Sequence, residues 1–125
     1  MIEMATQQPP QPNGQELEKL LKEYQVLQEQ LRSTALQLDQ LQNQKIDMER
    51  ARDELEKASG KVYFTVGGVI VETTREKALE DIKDRHALTD TRVQSASKQY
   101  NELKSRERQF NEKITQLYGQ GQGVT

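Results

Sequence analysis

Two heptad arrays of similar length, separated by a short stretch whose hydrophobic period is two, constrain this chain more than anything else in it. The first ladder runs Leu17, Leu20, Tyr24, Leu27, Leu31, Thr34, Leu38, Leu41, Lys45, Met48, Arg52, Leu55; the second runs Leu79, Ile82, His86, Thr89, Val93, Ala96, Tyr100, Leu103, Glu107, Phe110, Ile114, Leu117. An apolar seam that recurs every ~3.5 residues leaves water only against another helix, because no other surface matches a stripe that narrow. Folding the chain back antiparallel sets Leu55 beside Leu79, Leu41 beside Val93, Leu31 beside Leu103, Tyr24 beside Phe110 and Leu17 beside Leu117. The ladders stay in phase throughout, so the chain is expected to supply its own partner helix. Helices of about 45 residues would each rise roughly 68 Å.

The stretch between the arrays carries β-branched and aromatic residues, Val62, Tyr63, Phe64, Thr65, Val66, then Val69, Ile70, Val71, around Gly67-Gly68. A glycine pair supplies the positive φ values of a two-residue hairpin turn. That turn sets Val66 opposite Val69, Phe64 opposite Val71 and Val62 opposite Thr73. One face is then Val62, Phe64, Val66, Val69 and Val71, and the other Tyr63, Thr65, Ile70 and Glu72. A lone two-stranded ribbon is barely stable and has unpaired edges, so the apolar face is expected to be covered by hairpins of other chains in a shared sheet or barrel. The fold class expected is mostly α: a long antiparallel coiled-coil hairpin with one β-hairpin between its helices, contributing to an oligomeric β-barrel body.

At the boundaries, residues 1–13 hold all three prolines among Gln and Asn and read as a flexible tail. Asn13 with Glu16 marks a helix start, giving a first helix over 14–58 that Ser59-Gly60 ends, Gly60 taking a left-handed conformation. The hairpin spans 61–73. Thr73 with Glu76 forms a capping-box pattern for a second helix over 74–118, and Gly119 opens a flexible tail over 119–125.

Only 33% of the 125 residues are hydrophobic and Trp is absent, which leaves no thick core. The 18 basic and 20 acidic residues are interspersed, so no basic field gathers phosphate and nucleic-acid binding is not expected. Zero cysteines exclude disulfides and thiolate zinc sites and fit a reducing compartment. No apolar run approaches ~20 residues and no signal-peptide core follows the start, so a soluble cytoplasmic protein without membrane contact is expected.

The segment VYFTVGGVIVETTREKALEDIKD, residues 62–84, set between two long heptad helices, resembles the beta class of prefoldin subunits, the archaeal type in particular. The resemblance spans about residues 14–118, and its specific part is the hairpin-to-helix junction. A single hairpin fits the beta class, since alpha-class subunits carry a second. The resemblance implies a hexamer of two alpha-class and four beta-class subunits, with the hairpins forming the body and six coiled coils hanging from it. It further implies an ATP-independent holdase that captures unfolded client polypeptides at the coiled-coil tips and passes them to a group II chaperonin.

The candidate tip gathers Leu17, Leu20, Leu21 and Tyr24 with Phe110, Ile114, Leu117 and Tyr118. Leu21, Tyr118 and Val26 fall off the ladders. Seam packing is the competing explanation for any one of these residues; adaptable contacts with clients are the functional one. The candidate oligomerisation surface is Val62, Phe64, Val66, Val69 and Val71. Lys45, Arg52, His86, Thr89 and Glu107 interrupt the ladders and read as register markers whose long side chains reach solvent. His86 falls near Met48 with neither a second metal ligand nor an organised carboxylate. Gly67-Gly68 lacks the surrounding pattern of a phosphate loop. No catalytic, cofactor or metal site is expected, and the chain is not expected to be an enzyme. The competing function is a structural or tethering coiled-coil protein, in which the hairpin only dimerises.

Overall fold

The computed structural model describes residues 12–122, so residues 1–11 of the expected N-terminal tail and 123–125 of the C-terminal one lie outside the described residues. Four elements follow one another: α1 (Pro12–Lys57), β1 (Val62–Val66), β2 (Val69–Thr73) and α2 (Arg75–Gln122). The chain is therefore mostly helical, with one antiparallel hairpin between its helices.

α1 outruns its expected boundary at the start and stops at Lys57, one residue short of 58, while α2 starts one residue late, at Arg75, and outruns its boundary at the end. α1 begins at Pro12, ahead of the Asn13 expected to cap it; proline at a first helical position forfeits no intrahelical bond. α2 continues through Gly119 to Gln122 instead of ending at Tyr118, because Gly119 is not among the glycines with positive φ and so does not turn the chain out of the helix. Gly60 does, at φ 99°, just after the amide of Ala58 closes a final tight turn on the Leu55 carbonyl at 3.2 Å. The Arg75 guanidinium at the start of α2 donates to the Glu56 carbonyl, one of the carbonyls a helix end leaves without a partner.

The start of α2 corrects the expected cap by one residue. Thr74, not Thr73, accepts the Lys77 amide on its Oγ1 at 3.1 Å, and its carbonyl takes the first helical bond from Ala78 at 3.0 Å. Thr73 is unavailable because its backbone is committed to the ladder opposite Val62.

The hairpin register is the expected one, Val62↔Thr73, Phe64↔Val71 and Val66↔Val69. Gly67 at φ 53° and Gly68 at φ 81° form the mirror-image turn that matches strand twist. A Cβ at either would meet nothing within 4 Å, so conformation rather than space demands glycine there.

The described chain forms two compact units. In the first, up to Thr34 and from Gln99 onward, Leu27, Leu31 and Leu103 are buried together, with Tyr100 and Phe110 packed against them. In the second, Ala35–Lys98, the buried residues are Leu41, Val62, Thr89 and Ala96. In both units every ladder position except Arg52 is buried or half-buried.

Candidate functional site

In the first unit the eight candidate tip residues divide by heptad position. The ladder members Leu17, Leu20, Tyr24, Phe110, Ile114 and Leu117 are half-buried, whereas Leu21 is 44% exposed and Tyr118 57%. Counting Leu17 and Leu79 as position a, both exposed residues occupy position e, just outside the seam. Leu20 and Leu117 line a cleft of about 370 Å³ together with Glu16, Lys19, Glu23 and Lys113, so the apolar end of this unit carries charges of both signs. Phe110 packs against the Leu27 cluster and contributes to closing the seam.

The polar interruptions follow a rule that heptad counting did not supply. Each of three a-position residues is held by an e-position residue of the other helix. Lys45 Nζ donates to Asp90 Oδ1 at 2.7 Å, His86 Nε2 lies 3.0 Å from Glu49 Oε1, and the Gln28 amide donates to Glu107. Contrary to the expectation of no organised carboxylate there, His86 has a partner in Glu49, which lies on the flank of the seam, outside the a/d ladder. Thr89 is the other correction. It does not reach solvent but is 4% exposed, its hydroxyl pointing at Met48 Sδ 3.8 Å away. A short β-branched side chain at a seam position has nowhere else to go.

These pairs set the local electrostatics. The His86 hydrogen bond foremost holds the Glu49 carboxyl below its ordinary range, and the Lys45 hydrogen bond does the same for Asp90. Glu107 is lowered first by the Gln28 amide and then by Lys104, whose Nζ lies 3.1 Å away. Lys45 and Lys104 are raised in turn, each chiefly by the hydrogen bond to its carboxylate. Each of these carboxylates is already engaged by a hydrogen-bonding side chain, an arrangement that suits structural fastening. Among the described residues no three His, Cys, Asp or Glu side chains gather to hold a metal.

In the second unit the hairpin covers its root and leaves the rest open. Val62 is 8% exposed, Phe64 and Val71 are 39% and 38% exposed, and Val66 and Val69 nearer the turn are more than half exposed. Below it a hollow of about 750 Å³ is walled by Met48, Ala51, Leu55 and Ile82 from the helices and by Val62 and Phe64 from β1. The opposite face is barer still, with Ile70 72% exposed. Among the described residues each strand has one neighbour, so the outer edges of both present amides and carbonyls without a ladder partner. Exposed Leu36, Ile46 and Leu88 were not singled out from the sequence, although their off-ladder positions were the available signal.

Paired heptad helices joined by a hairpin with uncovered apolar faces define a class of protein, the coiled-coil subunit that carries its sheet material outside its own seam. The family model described as prefoldin subunit matches residues 18–121, and the chain belongs to the prefoldin subunit family. It is 33% identical over 122 residues to the prefoldin subunit beta of Caldivirga maquilingensis, covering 96% of this chain and 97% of that one. With the prefoldin subunit beta of Methanosarcina acetivorans it shares 31% over 118 residues, 93% of this chain and 97% of the relative. Among solved structures, the prefoldin beta subunit from Thermococcus strain KS-1 superposes with a TM-score of 0.76 at 26% identity, over 86% of this chain and 92% of that one.

Proposed function

We propose that this chain is the beta-class subunit of an ATP-independent holdase, which captures unfolded polypeptides at the free ends of its helix pair and delivers them to a group II chaperonin in the cytoplasm. Membership of the prefoldin subunit family gives the coarser part, a chaperone subunit that assembles with other prefoldin subunits. The stoichiometry proposed is two alpha-class and four beta-class chains, joined through Val62, Phe64, Val66, Val69 and Val71.

The observation that carries capture at the helix ends is the pair Leu21 and Tyr118, large apolar side chains exposed beside a seam that six ladder residues already close. Apolar surface not needed for closure is available to a client, and weak contacts become useful when several subunits grip one chain at once. Charges around the Leu20–Leu117 cleft keep that surface from becoming one continuous greasy patch.

Alanine at Leu20, Leu21, Phe110 and Tyr118 tests the proposal. Suppression of aggregation of a chemically unfolded protein, measured without ATP, should fall in a graded way while the mass of the assembled complex is unchanged. Undiminished protection by the intact variant complex removes capture at the helix ends and leaves the tethering function standing.

A further inference from the structure

The rule that joins a positions to e positions breaks at one place. Lys45, His86 and Glu107 each find a cross-helix partner, but the e residue that the same register sets against Arg52 is Lys83, a like charge. Arg52 is the one ladder residue left exposed, and Lys83 is exposed as well. Among the described residues its one ion pair is with the neighbouring Asp53, at 3.9 Å, with both side chains about half or more exposed. Such a contact contributes little.

Arg52 and Lys83 nevertheless share a site. Both line a cleft of about 300 Å³ in the Ala35–Lys98 unit, on a floor of Met48, Leu79 and Ile82. Glu56 supplies one negative charge and His86 is taken up by Glu49, so the lining keeps one cation in excess. An apolar floor under two cations, of which Arg52 has only the weak contact with Asp53 and Lys83 has no ion pair among the described residues, fits an apolar side chain followed closely by a carboxylate.

The chain itself carries that pattern in the open. Ile70 is the most exposed large hydrophobic among the described residues, and Glu72 lies two residues on, ~7 Å away on the same hairpin face. That face is not the one assigned to the shared sheet, and neither residue lines the cleft of its own chain. We infer that Ile70 and Glu72 of a second copy of this chain dock in the cleft between Arg52 and Lys83, Ile70 on the apolar floor and Glu72 between the two cations. This rests on the reading that the chain assembles through its hairpin, and adds a second contact on the opposite face. In a two-fold pair each copy would give its hairpin and receive the other's, so the contact is made twice.

Charge exchange tests the docking. Sedimentation velocity of the full chain over a concentration series measures self-association for the wild type, for Glu72→Arg, and for Arg52→Glu with Lys83→Glu. Each variant alone sets like charges against each other and should associate about tenfold more weakly. Their mixture restores opposite charges at both contacts, one swapped and one native, and should return to within about threefold of wild type. Recovery also shows that neither variant had lost its fold. A mixture no stronger than its components overturns the docking, as does wild-type chain that does not self-associate or charge variants that associate as tightly as wild type. Phe64→Asp with Val71→Asp in the same assay separates the two ideas: loss of association there, with no response to charge exchange, keeps assembly through the hairpin and removes docking in the cleft.

Discussion

Leu27 and Ile70 are aliphatic side chains of equal size in opposite surroundings. Leu27 is 2% exposed, sealed by Leu31 and Leu103 within its own unit, and Ile70 is 72% exposed on the hairpin. The helices were each given a matching seam by the same chain; the hairpin was not. A fully buried leucine contributes about 2–3 kcal/mol relative to exposure, so burial is complete where a partner exists in the chain and left undone where one does not. The difference teaches that the apolar residues of this sequence serve two destinations, an internal seam and a surface still to be covered.

The largest effect should come from spoiling the second destination. Phe64→Asp with Val71→Asp places two charges on the half-covered face, and native mass spectrometry with an alpha-class subunit should show dissociated chains whose helical circular dichroism persists. An intact complex would mean that the hairpin face is not what assembles, and the contrast with Leu27 would lose its meaning.

Next in size is the direct comparison. Leu27→Ala opens a cavity in the cluster of Leu31 and Leu103 and should lower the stability of the isolated chain by about 3 kcal/mol. Ile70→Ala removes nothing that is buried and should stay within about 0.5 kcal/mol. Urea unfolding followed by circular dichroism measures both. Equal losses would show that Ile70 is already covered in the isolated chain.

A smaller and opposite change is expected at Thr89. Its hydroxyl is buried against a thioether, a poor acceptor, and valine keeps the shape without the desolvated oxygen. Thr89→Val should be neutral or stabilise by up to about 1 kcal/mol in the same urea experiment. A loss above that would mean that the hydroxyl secures the register.

The fold was legible because its two periods are strong and do not overlap. The 3.5-residue ladders named every seam position, and only Arg52 stayed exposed; Gly67-Gly68 set the hairpin register to the residue. What escaped was decided by competition between neighbours. Thr73 and Thr74 are equal candidates to cap α2, and the choice falls to Thr74 only because Thr73 is held in the ladder opposite Val62. Gly119 reads as a stop, yet it keeps helical φ, since a glycine permits a left-handed turn without requiring one. At the candidate site, heptad position separated Leu21 and Tyr118 from the seam residues, but the partners of Lys45, His86 and Glu107 lay on the flanking e positions that an a/d ladder does not inspect.

Those flanking pairs give the smallest expected effect, and it has a defined sign. Glu49 and Glu107 are lowered from 4.5 and Asp90 from 3.8, so each binds its proton more weakly folded than unfolded. Their stabilisation is present above the unfolded values and is lost as pH falls through the lower folded ones. Lys45 and Lys104 are raised from 10.5, so their share is present below that pH and is lost as pH rises beyond it. With respect to the Lys45–Asp90 and Lys104–Glu107 pairs, thermal melts should therefore run flat between about pH 5 and 10 and fall on both flanks. The pairs are partly hydrated, and the acid loss should be smaller than the effect of Leu27→Ala and reduced by salt. Glu107, whose side chain is 15% exposed against 36% for Asp90, should matter more of the two. Glu107→Gln should flatten the acid flank more than Asp90→Asn does, because it removes a less hydrated carboxylate that accepts from both Gln28 and Lys104. Equal flattening by the two variants would mean that burial inside the seam gives a charged pair no advantage over one at its rim. The contrast between sealed and open positions would then hold for apolar side chains alone.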